Sequence, residues 1–323
     1  MTAHLVSPPT LPSPTAALAS RAPAPARGRT SGAGAASAPG PAAGHARARG
    51  VGSSSSGMSA LGWALSDTWV VAGRHLRRLR RRPDELLSTL LVPVMAVAMF
   101  GLVLGDAFGA AMAAPGVDYR EFLLPGVFVL TMAFGIGSTT VSVAADVRDS
   151  VVDRMRSMPT APAAILAGRA LADLVTAVVE LAVLAGMGAL LGWQWHGGPV
   201  AVAGALGLLL ALRLAFSWIG IVLGLLVSGP EAAMKYFALV FPLAMVAETI
   251  VPTALMPGWL AGLAAWNPLS STVVATRELF GVGGPEASTW IAEHAQVMAL
   301  AWPAAIVAVC VPVALLLLRR LGR

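Results

Sequence analysis

The chain has 323 residues, of which 57% are apolar and 12% are charged, and its mean hydropathy is +0.75. Soluble domains carry about 25% charged residues, so this composition excludes an ordinary soluble enzyme, and the apolar content excludes disorder throughout the chain. The net charge of +6 comes almost entirely from arginine, and Cys310, the single cysteine, excludes a disulfide framework and a thiolate metal site.

The first 57 residues consist mainly of alanine, proline, serine, glycine and arginine. Such a segment has little apolar surface to bury, so it cannot offset the entropy of ordering. No apolar run follows a basic start, which argues against a secretory signal peptide. We therefore expect a disordered tail over residues 1–57 and one membrane domain over residues 58–323.

Residues 59–82 are predicted to form an amphipathic helix. Leu61, Leu65 and Trp69 recur every fourth residue on one side of this helix, while several arginines fall on the other side. A basic amphipathic helix lies among the head groups of an anionic leaflet, and Pro83 would end it. A soluble helix with a solvated basic face is the alternative. The residues assigned to this interfacial helix are Trp69, Arg74, Arg77, Arg78 and Arg81.

Six long apolar runs follow, and each carries at most one charged residue. A helix needs about 20 apolar residues to cross the hydrocarbon layer, and these runs lack the alternation typical of strands. The sequence therefore predicts an all-α integral membrane protein with six transmembrane helices. The predicted spans are Leu86–Gly105, Phe122–Ala145, Leu174–Gly192, Val200–Val227, Tyr236–Thr253 and Val297–Leu318.

The basic residues predict the orientation of these spans. When both termini and the loops after the second and fourth spans are placed on one side, that side holds 19 of the 22 basic residues. The opposite side holds Arg120 and Arg277, and Arg213 lies within a span. Positive charge stays on the cytoplasmic side during insertion, so both termini are predicted to be cytoplasmic.

The stretch from Ala254 to Thr276 carries no charge but is interrupted by proline, glycine and Asn267. It is too irregular for a span and too apolar for an ordinary exterior loop. Two short helices that dip back into the outer leaflet, with Trp259 and Trp266 near the interface, fit both properties. Irregular backbone at that depth requires cover by protein or water.

The sequence offers no catalytic constellation and no metal site. Its five histidines form no close pair, and neither His-Glu-x-x-His nor Gly-x-Ser-x-Gly occurs. A phosphate-binding loop needs a lysine followed by serine or threonine, whereas the only lysine, Lys235, is followed by Tyr236. The chain therefore cannot hydrolyse ATP by that mechanism.

The loop after the second span carries mixed charge on a predicted short helix that Pro159 ends. Asp146, Asp149 and Asp153 are spaced three and four residues apart. A solvated connector with weak internal ion pairs is one interpretation. A helix that docks into a groove on a soluble partner is the other.

Several short motifs follow one another in a fixed order from about Met58 to the end, over about four-fifths of the chain. They are Ala64–Trp69 (ALSDTW), Arg82-Pro83-Asp84, Asp153–Pro159 (DRMRSMP), Gly168–Asp173 (GRALAD), Ser228–Ala232 (SGPEA) and Val251–Leu260 (VPTALMPGWL) with Asn267-Pro268. In this order and spacing they resemble the permease subunit of type-2 ABC exporters, in particular the daunorubicin-resistance permease group.

The resemblance implies a pathway formed by a homodimer or by two related permeases, with a separate ATPase subunit that binds ATP and magnesium. It implies that residues 66–82 are an interfacial elbow helix and that residues 252–277 are re-entrant outer helices. It also implies that residues 146–158 are the coupling helix, although Ala145 and Ser150 differ from the residues usual in the family. The residues assigned to coupling are Asp146, Arg148, Asp149, Asp153, Arg154, Met155 and Arg156.

Three charged residues fall inside the predicted spans: Glu180, Arg213 and Glu248. A charge at the bilayer centre costs about 2.5–3.5 kcal/mol on insertion scales, so each should find a partner or face the bundle interior. We expect Arg213 to pair with Glu180 or with Glu248. Such a pair either fixes helix register as a structural ion pair or lines the path of the cargo.

The sequence as a whole predicts a transport subunit without enzymatic activity or cofactor of its own, in a bacterial plasma membrane. Apolar walls favour an amphipathic or lipophilic cargo such as an antibiotic, and a lipid or lipid-linked glycan is the alternative. No nucleic-acid partner is expected. A secondary transporter driven by an ion gradient, with Glu180, Arg213 and Glu248 as relay, is a second class. A membrane scaffold that transports nothing is a third.

Overall fold

The structure is a computed structural model that describes residues 83–99, 119–148, 162–227, 229–237, 240–249, 253, 256–282 and 289–320. Regular secondary structure among these residues is helical throughout, as predicted for an all-α protein. The helices are α1 (Pro83–Ala98), α2 (Tyr119–Arg148), α3 (Pro162–Leu190), α4 (Pro199–Leu226), α5 (Pro230–Phe237), α6 (Val240–Val246), α7 (Gly258–Ala265), α8 (Pro268–Phe280), α9 (Trp290–Glu293) and α10 (Ala295–Arg320). The predicted tail and the predicted interfacial helix, with Trp69, Arg74, Arg77, Arg78 and Arg81, lie outside the described residues.

Four of the described helices contain segments long and apolar enough to cross a membrane. At a rise of about 1.5 Å per residue, such segments exceed the roughly 30 Å of a hydrocarbon core. They correspond to the second, third, fourth and sixth predicted spans, and α1 begins the first. The four segments are Glu121–Arg148, Leu166–Leu190, Pro199–Leu226 and Ala295–Arg320.

The fifth predicted span differs from its expected form. Helix α6 ends at Val246, and Ala247–Thr249 form a turn, so the prediction of one uninterrupted helix over Tyr236–Thr253 is wrong towards its C-terminal end. In this turn the backbone N–H of Glu248 donates to Oγ of Ser270 at 2.9 Å. In a continuous helix the N–H of Glu248 would donate to a backbone carbonyl oxygen, and here the hydroxyl of Ser270 takes the place of that acceptor.

Helices α2 and α4 form the most extensive helix pair of the described chain. Gly220 and Gly224 lie one turn apart on α4 and face α2. A Cβ added at Gly220 would lie 3.1 Å from the carbonyl oxygen of Ile136, and one at Gly224 would lie 2.6 Å from Cβ of Val143. Small residues at this spacing let two helix backbones approach closely, which stabilises helix pairs in lipid.

Separate groups of apolar side chains pack at the two ends of the bundle. At one end, Val143 of α2 and Leu225 of α4 pack with Leu166 near the start of α3 and Leu318 near the end of α10. We call this the Arg148 end, after the last residue of α2. Four arginines belong to these helix ends, namely Arg148, Arg169, Arg319 and Arg320.

The opposite end, which we call the Tyr119 end, contains the start of α2 and the loop between α3 and α4. Tyr119 and Phe122 belong to one buried apolar cluster there. Nε2 of His196 in the loop lies 3.2 Å from Oε2 of Glu121. The backbone N–H of His196 donates to the carbonyl oxygen of Phe280 at 2.8 Å, so the end of α8 also belongs to this end.

Helices α7 and α8 are the two helices predicted between the fifth and sixth spans. The Asn267 side chain caps α8 by accepting from the backbone N–H of Leu269 at 3.0 Å. Gly281, with φ of +76°, ends α8 in a left-handed conformation. Because α8 packs against α2, α4 and α10, it is an integral part of the bundle.

The outward faces of α3 and α10 are apolar. Four large apolar side chains on α10 are about 60% exposed, namely Val297, Leu300, Val309 and Leu316. On α3, the side chain of Val178 is 51% exposed. A protein surface in water rarely exposes so many large apolar side chains on one helix. These faces are therefore suited to contact with lipid tails.

Candidate functional site

A buried cluster of charged and hydroxyl side chains lies in the middle of the bundle. We call it the Arg213 cluster and define it by Thr139, Asp173, Glu180, Arg213 and Ser217. Arg213 is the fifteenth of the 28 residues in the α4 segment, and its side chain is fully buried. Asp173 and Glu180 lie about two turns apart on α3, and Ser217 lies one turn after Arg213 on α4.

Arg213 lies between the two carboxylates. Its Nη1 donates to Oε2 of Glu180 at 3.3 Å, and its Nη2 donates to Oδ1 of Asp173 at 3.5 Å. Oδ2 of Asp173 accepts further hydrogen bonds from the hydroxyls of Thr139 and Ser217. The cluster therefore links α2, α3 and α4 through side chains in the middle of the bundle.

A glycine on α2 makes room for the guanidinium group. A Cβ added at Gly135 would overlap the terminal atoms of Arg213. One turn away, the carbonyl oxygen of Thr131 lies 3.4 Å from Nη1 of Arg213. A larger residue at position 135 would displace the arginine from its carboxylate partners.

The sequence left open whether Arg213 pairs with Glu180 or with Glu248. In the structure Arg213 pairs with Glu180. Asp173 is a partner that the sequence reasoning missed, since it stands just before the predicted third span and figured only in the GRALAD motif. Its separation of seven residues from Glu180 was the available indication, because that spacing places both carboxylates on one face of a helix. The predicted third span therefore began too late.

The Arg213 cluster supplies charge and hydrogen bonds but no catalytic set. Oε1 of Glu180 and Nε of Arg213 have no hydrogen-bond partner within the described part of the chain. Over the same residues, no three histidine, cysteine or acidic side chains lie close enough to hold a metal ion. Removing one partner from a buried ion pair costs about 3–5 kcal/mol, so this cluster is a point of high sensitivity in the fold.

A second buried cation lies at the Tyr119 end. We call it the Arg277 cluster and define it by Phe122, Glu248, Thr249 and Arg277. Nε of Arg277 donates to the carbonyl oxygen of Phe122, and Nη2 donates to that of Thr249, both at 3.1 Å. The guanidinium carbon lies 3.5 Å from the centroid of the Phe122 ring, a cation–π contact. Oε1 of Glu248 is 3.9 Å from Nη1, which is too long for a hydrogen bond.

The Arg277 cluster changes two expectations. Arg277 was expected among the loop residues of the outer side, but it is 3% exposed and enclosed by the bundle. Glu248 contacts Arg277 and not Arg213. Burial lowers the pKa of the Arg277 guanidinium to about 9, against the opposing effect of Glu248, so Arg277 remains protonated at pH 7.

The residues assigned to coupling are described only in part. Asp146 and Arg148 lie in the last turn of α2, so this helix continues three residues beyond the predicted second span. The side chain of Arg148 is exposed. The remaining assigned residues, Asp149, Asp153, Arg154, Met155 and Arg156, lie outside the described residues.

Comparison with known families decides how this bundle is classified. The sequence profile of the ABC-2 type transporter family matches residues 66–280, which contain both clusters. The chain belongs to the ABC-2 type transporter family. Together with its apolar helices, this membership makes the ABC-2 permease a multi-pass membrane protein, and it confirms the resemblance drawn from the sequence motifs.

Individual relatives of the ABC-2 permease agree with this assignment. It is 33% identical to the daunorubicin resistance ABC transporter permease protein DrrB1 of Streptomyces coeruleorubidus, over 67% of this chain and 75% of that relative. It is 26% identical to the probable doxorubicin resistance ABC transporter permease protein DrrC of Mycobacterium tuberculosis, over 78% of this chain and 88% of that relative. The putative transport permease ycf38 of Cyanophora paradoxa is 25% identical over 67% of this chain and 74% of its own length. The ABC-2 permease is thus a transmembrane permease subunit of an ABC transporter.

Proposed function

We propose that this permease forms the pathway of an ATP-driven exporter that moves amphipathic or lipophilic, antibiotic-like compounds out of a bacterial cell. The observation that carries the proposal is the similarity to two permeases named for daunorubicin and doxorubicin resistance, over 75% and 88% of their lengths. The apolar character of the spans is compatible with a cargo that partitions into lipid.

The proposed topology has six spans, with both termini in the cytoplasm of a cell bounded by the plasma membrane. Helix α1 would begin the first span, and α6 would lie in the fifth. The exposed arginines at the Arg148 end support a cytoplasmic position for that end, whereas Arg277 at the Tyr119 end is buried. In this orientation α7 and α8 are the re-entrant helices of the outer side.

The driving force would come from a separate ATPase subunit that binds ATP and magnesium. The only lysine, Lys235, is followed by Tyr236 and lies in α5, so a Walker-type phosphate loop cannot be built from this chain. Residues 146–158 would transmit the motion of the ATPase, and residues 66–82 would form the interfacial elbow helix. Two permeases, identical or related, would enclose the pathway.

An exporter powered by an ion gradient receives less support from the contacts. Such a transporter would need Glu180, Arg213 and Glu248 to act as one relay. Within the described residues, Glu180 contacts Arg213 while Glu248 contacts Arg277. The three groups therefore belong to two separate clusters.

The coupling assignment and the export function are tested together by removing two arginines. Inverted membrane vesicles containing the permease and its ATPase should take up daunorubicin when ATP is supplied. Replacing both Arg154 and Arg156 by alanine should lower this uptake about tenfold while the permease remains in the membrane, because coupling free energies of this kind are typically 1–3 kcal/mol.

The matched control replaces Arg319 and Arg320 by alanine, which removes the same charge from the Arg148 end outside the coupling segment. This control should retain uptake. Equal uptake by the Arg154/Arg156 variant and the wild type would disprove the coupling assignment. Absence of ATP-dependent uptake by the wild type would disprove the export function.

A further inference from the structure

A cavity of about 200 Å³ lies beside the Arg277 cluster, between α7, α8 and residues 289–292. Its wall is mostly small and apolar, and it includes Ala261, Gly262, Val274 and Ile291. Pockets that enclose a whole drug-sized molecule measure roughly 300–1,000 Å³. This cavity is therefore of a size to take one end of an amphipathic molecule.

Among the described residues, one carboxylate faces the cavity. Glu248 lines it, whereas Arg277 does not, because the guanidinium is directed at the carbonyl oxygens of Phe122 and Thr249. Oε2 of Glu248 accepts from the hydroxyl of Thr253 at 3.2 Å. The carboxylate also accepts from the backbone N–H of Thr253, and its Oε1 lies 3.9 Å from Nη1 of Arg277, beyond hydrogen-bond distance. Because a carboxylate has about four acceptor sites, Glu248 can accept a further hydrogen bond from a ligand.

A buried hydroxyl provides a second, independent indication of a ligand. Ser271 lines the cavity and is 3% exposed. Its Oγ has no hydrogen-bond partner among the described residues, although buried polar groups are nearly always paired. The neighbouring Ser270 differs, because its Oγ already accepts from the backbone N–H of Glu248.

We propose that this cavity binds the ammonium group of an amphipathic amine, with Glu248 and Ser271 as acceptors and the apolar wall around the adjoining carbons. An ammonium group carries three donors and one positive charge, and its hydrogen bond to a carboxylate is charge-assisted. A metal ion fits less well, because hard cations require six or more oxygen ligands and the described lining residues supply one carboxylate. The proposal rests on the proposed export function and specifies one class of its cargo.

The test uses the purified full-length permease in lipid nanodiscs and two fluorescent probes. Dansylcadaverine carries a primary ammonium group, and its N-acetyl derivative has the same ring and chain without the charge. The wild type should bind the amine about tenfold more tightly, a difference of about 1.4 kcal/mol. In Glu248→Gln the two affinities should become equal, and Ser271→Ala should weaken only the amine.

Glu278→Gln is the matched control, since Glu278 is an exposed carboxylate on α8 that does not line the cavity. It should preserve the preference for the amine. Equal binding of both probes by the wild type, or a preference that survives in Glu248→Gln, would overturn the proposal. Because binding is measured without ATP, ATP-dependent uptake of daunorubicin into vesicles reports separately on the export function.

Two sources of the ammonium group are separated by the lipid composition. In nanodiscs of phosphatidylglycerol alone, the amine should bind as above. If added phosphatidylethanolamine displaces dansylcadaverine from the wild type but not from Glu248→Gln, the natural occupant is a lipid head group. If added phosphatidylethanolamine leaves the affinity unchanged, the occupant is a cargo amine.

Discussion

Replacing Arg213 by methionine is expected to remove most of the folded protein from detergent extracts of the membrane. The substitution leaves Asp173 and Glu180 buried without their shared cation, and breaking a buried pair in this way costs about 3–5 kcal/mol. A loss of that size is a large share of the roughly 5–15 kcal/mol by which folded proteins are stable. The measurement is the fraction of monodisperse protein by size-exclusion chromatography, with the thermal midpoint of the remainder.

The Arg213→Met/Glu180→Gln double variant should recover most of that loss. It leaves a single carboxylate, Asp173, which still accepts hydrogen bonds from Thr139 and Ser217. Arg320→Met, which removes an exposed arginine from the last turn of α10, is the control and should be as stable as the wild type. If Arg213→Met is as stable as Arg320→Met, Arg213 has no structural role. If the double variant folds but exports poorly, Arg213 and Glu180 also line the path of the cargo.

Gly224→Ala is expected to destabilise the pairing of α2 and α4. The new Cβ would lie 2.6 Å from Cβ of Val143 and 2.9 Å from the carbonyl oxygen of Thr140. Neither atom is at the free end of a flexible side chain, so the two backbones would have to separate. Overpacking of this kind costs about 1–3 kcal/mol, and the thermal midpoint in detergent should fall accordingly.

Gly207→Ala tests the same chemical change on the same helix without the contact. A Cβ added at Gly207 meets no atom within 4 Å, and alanine favours the helix over glycine by roughly 0.5–1 kcal/mol. Gly224→Ala should therefore lower the thermal midpoint, whereas Gly207→Ala should raise it or leave it unchanged. Equal midpoints for both variants would contradict the close approach of α2 and α4.

The apolar spans were the part of the fold that the sequence could predict. The predicted runs Phe122–Ala145, Val200–Val227 and Val297–Leu318 lie within three residues of the observed segments at each end. Run length decides these boundaries because the bilayer imposes a minimum length on any apolar helix that crosses it. The ABC-2 family was also predictable, since its motifs keep their order along the chain.

One charged residue limited the prediction of the third span, because the predicted span was begun directly after Asp173. The third span starts at Leu166, eight residues before the predicted Leu174, and the intervening residues include Asp173. Its burial depends on Arg213 and two hydroxyls from other helices, and no local pattern contains that information. Arg277 was predicted to lie on the outer side of the membrane, and its burial was not predicted, because its main partners are backbone carbonyl oxygens that side-chain patterns cannot reveal.

In the function proposed above, this chain provides a pathway and a separate ATPase supplies the energy. The most direct measurement is daunorubicin transport in proteoliposomes, with the permease reconstituted alone or with its ATPase. We expect uphill transport only when both subunits and magnesium-ATP are present, and none by the permease alone under a proton or sodium gradient. Uphill transport by the permease alone on such a gradient would disprove the requirement for a separate ATPase.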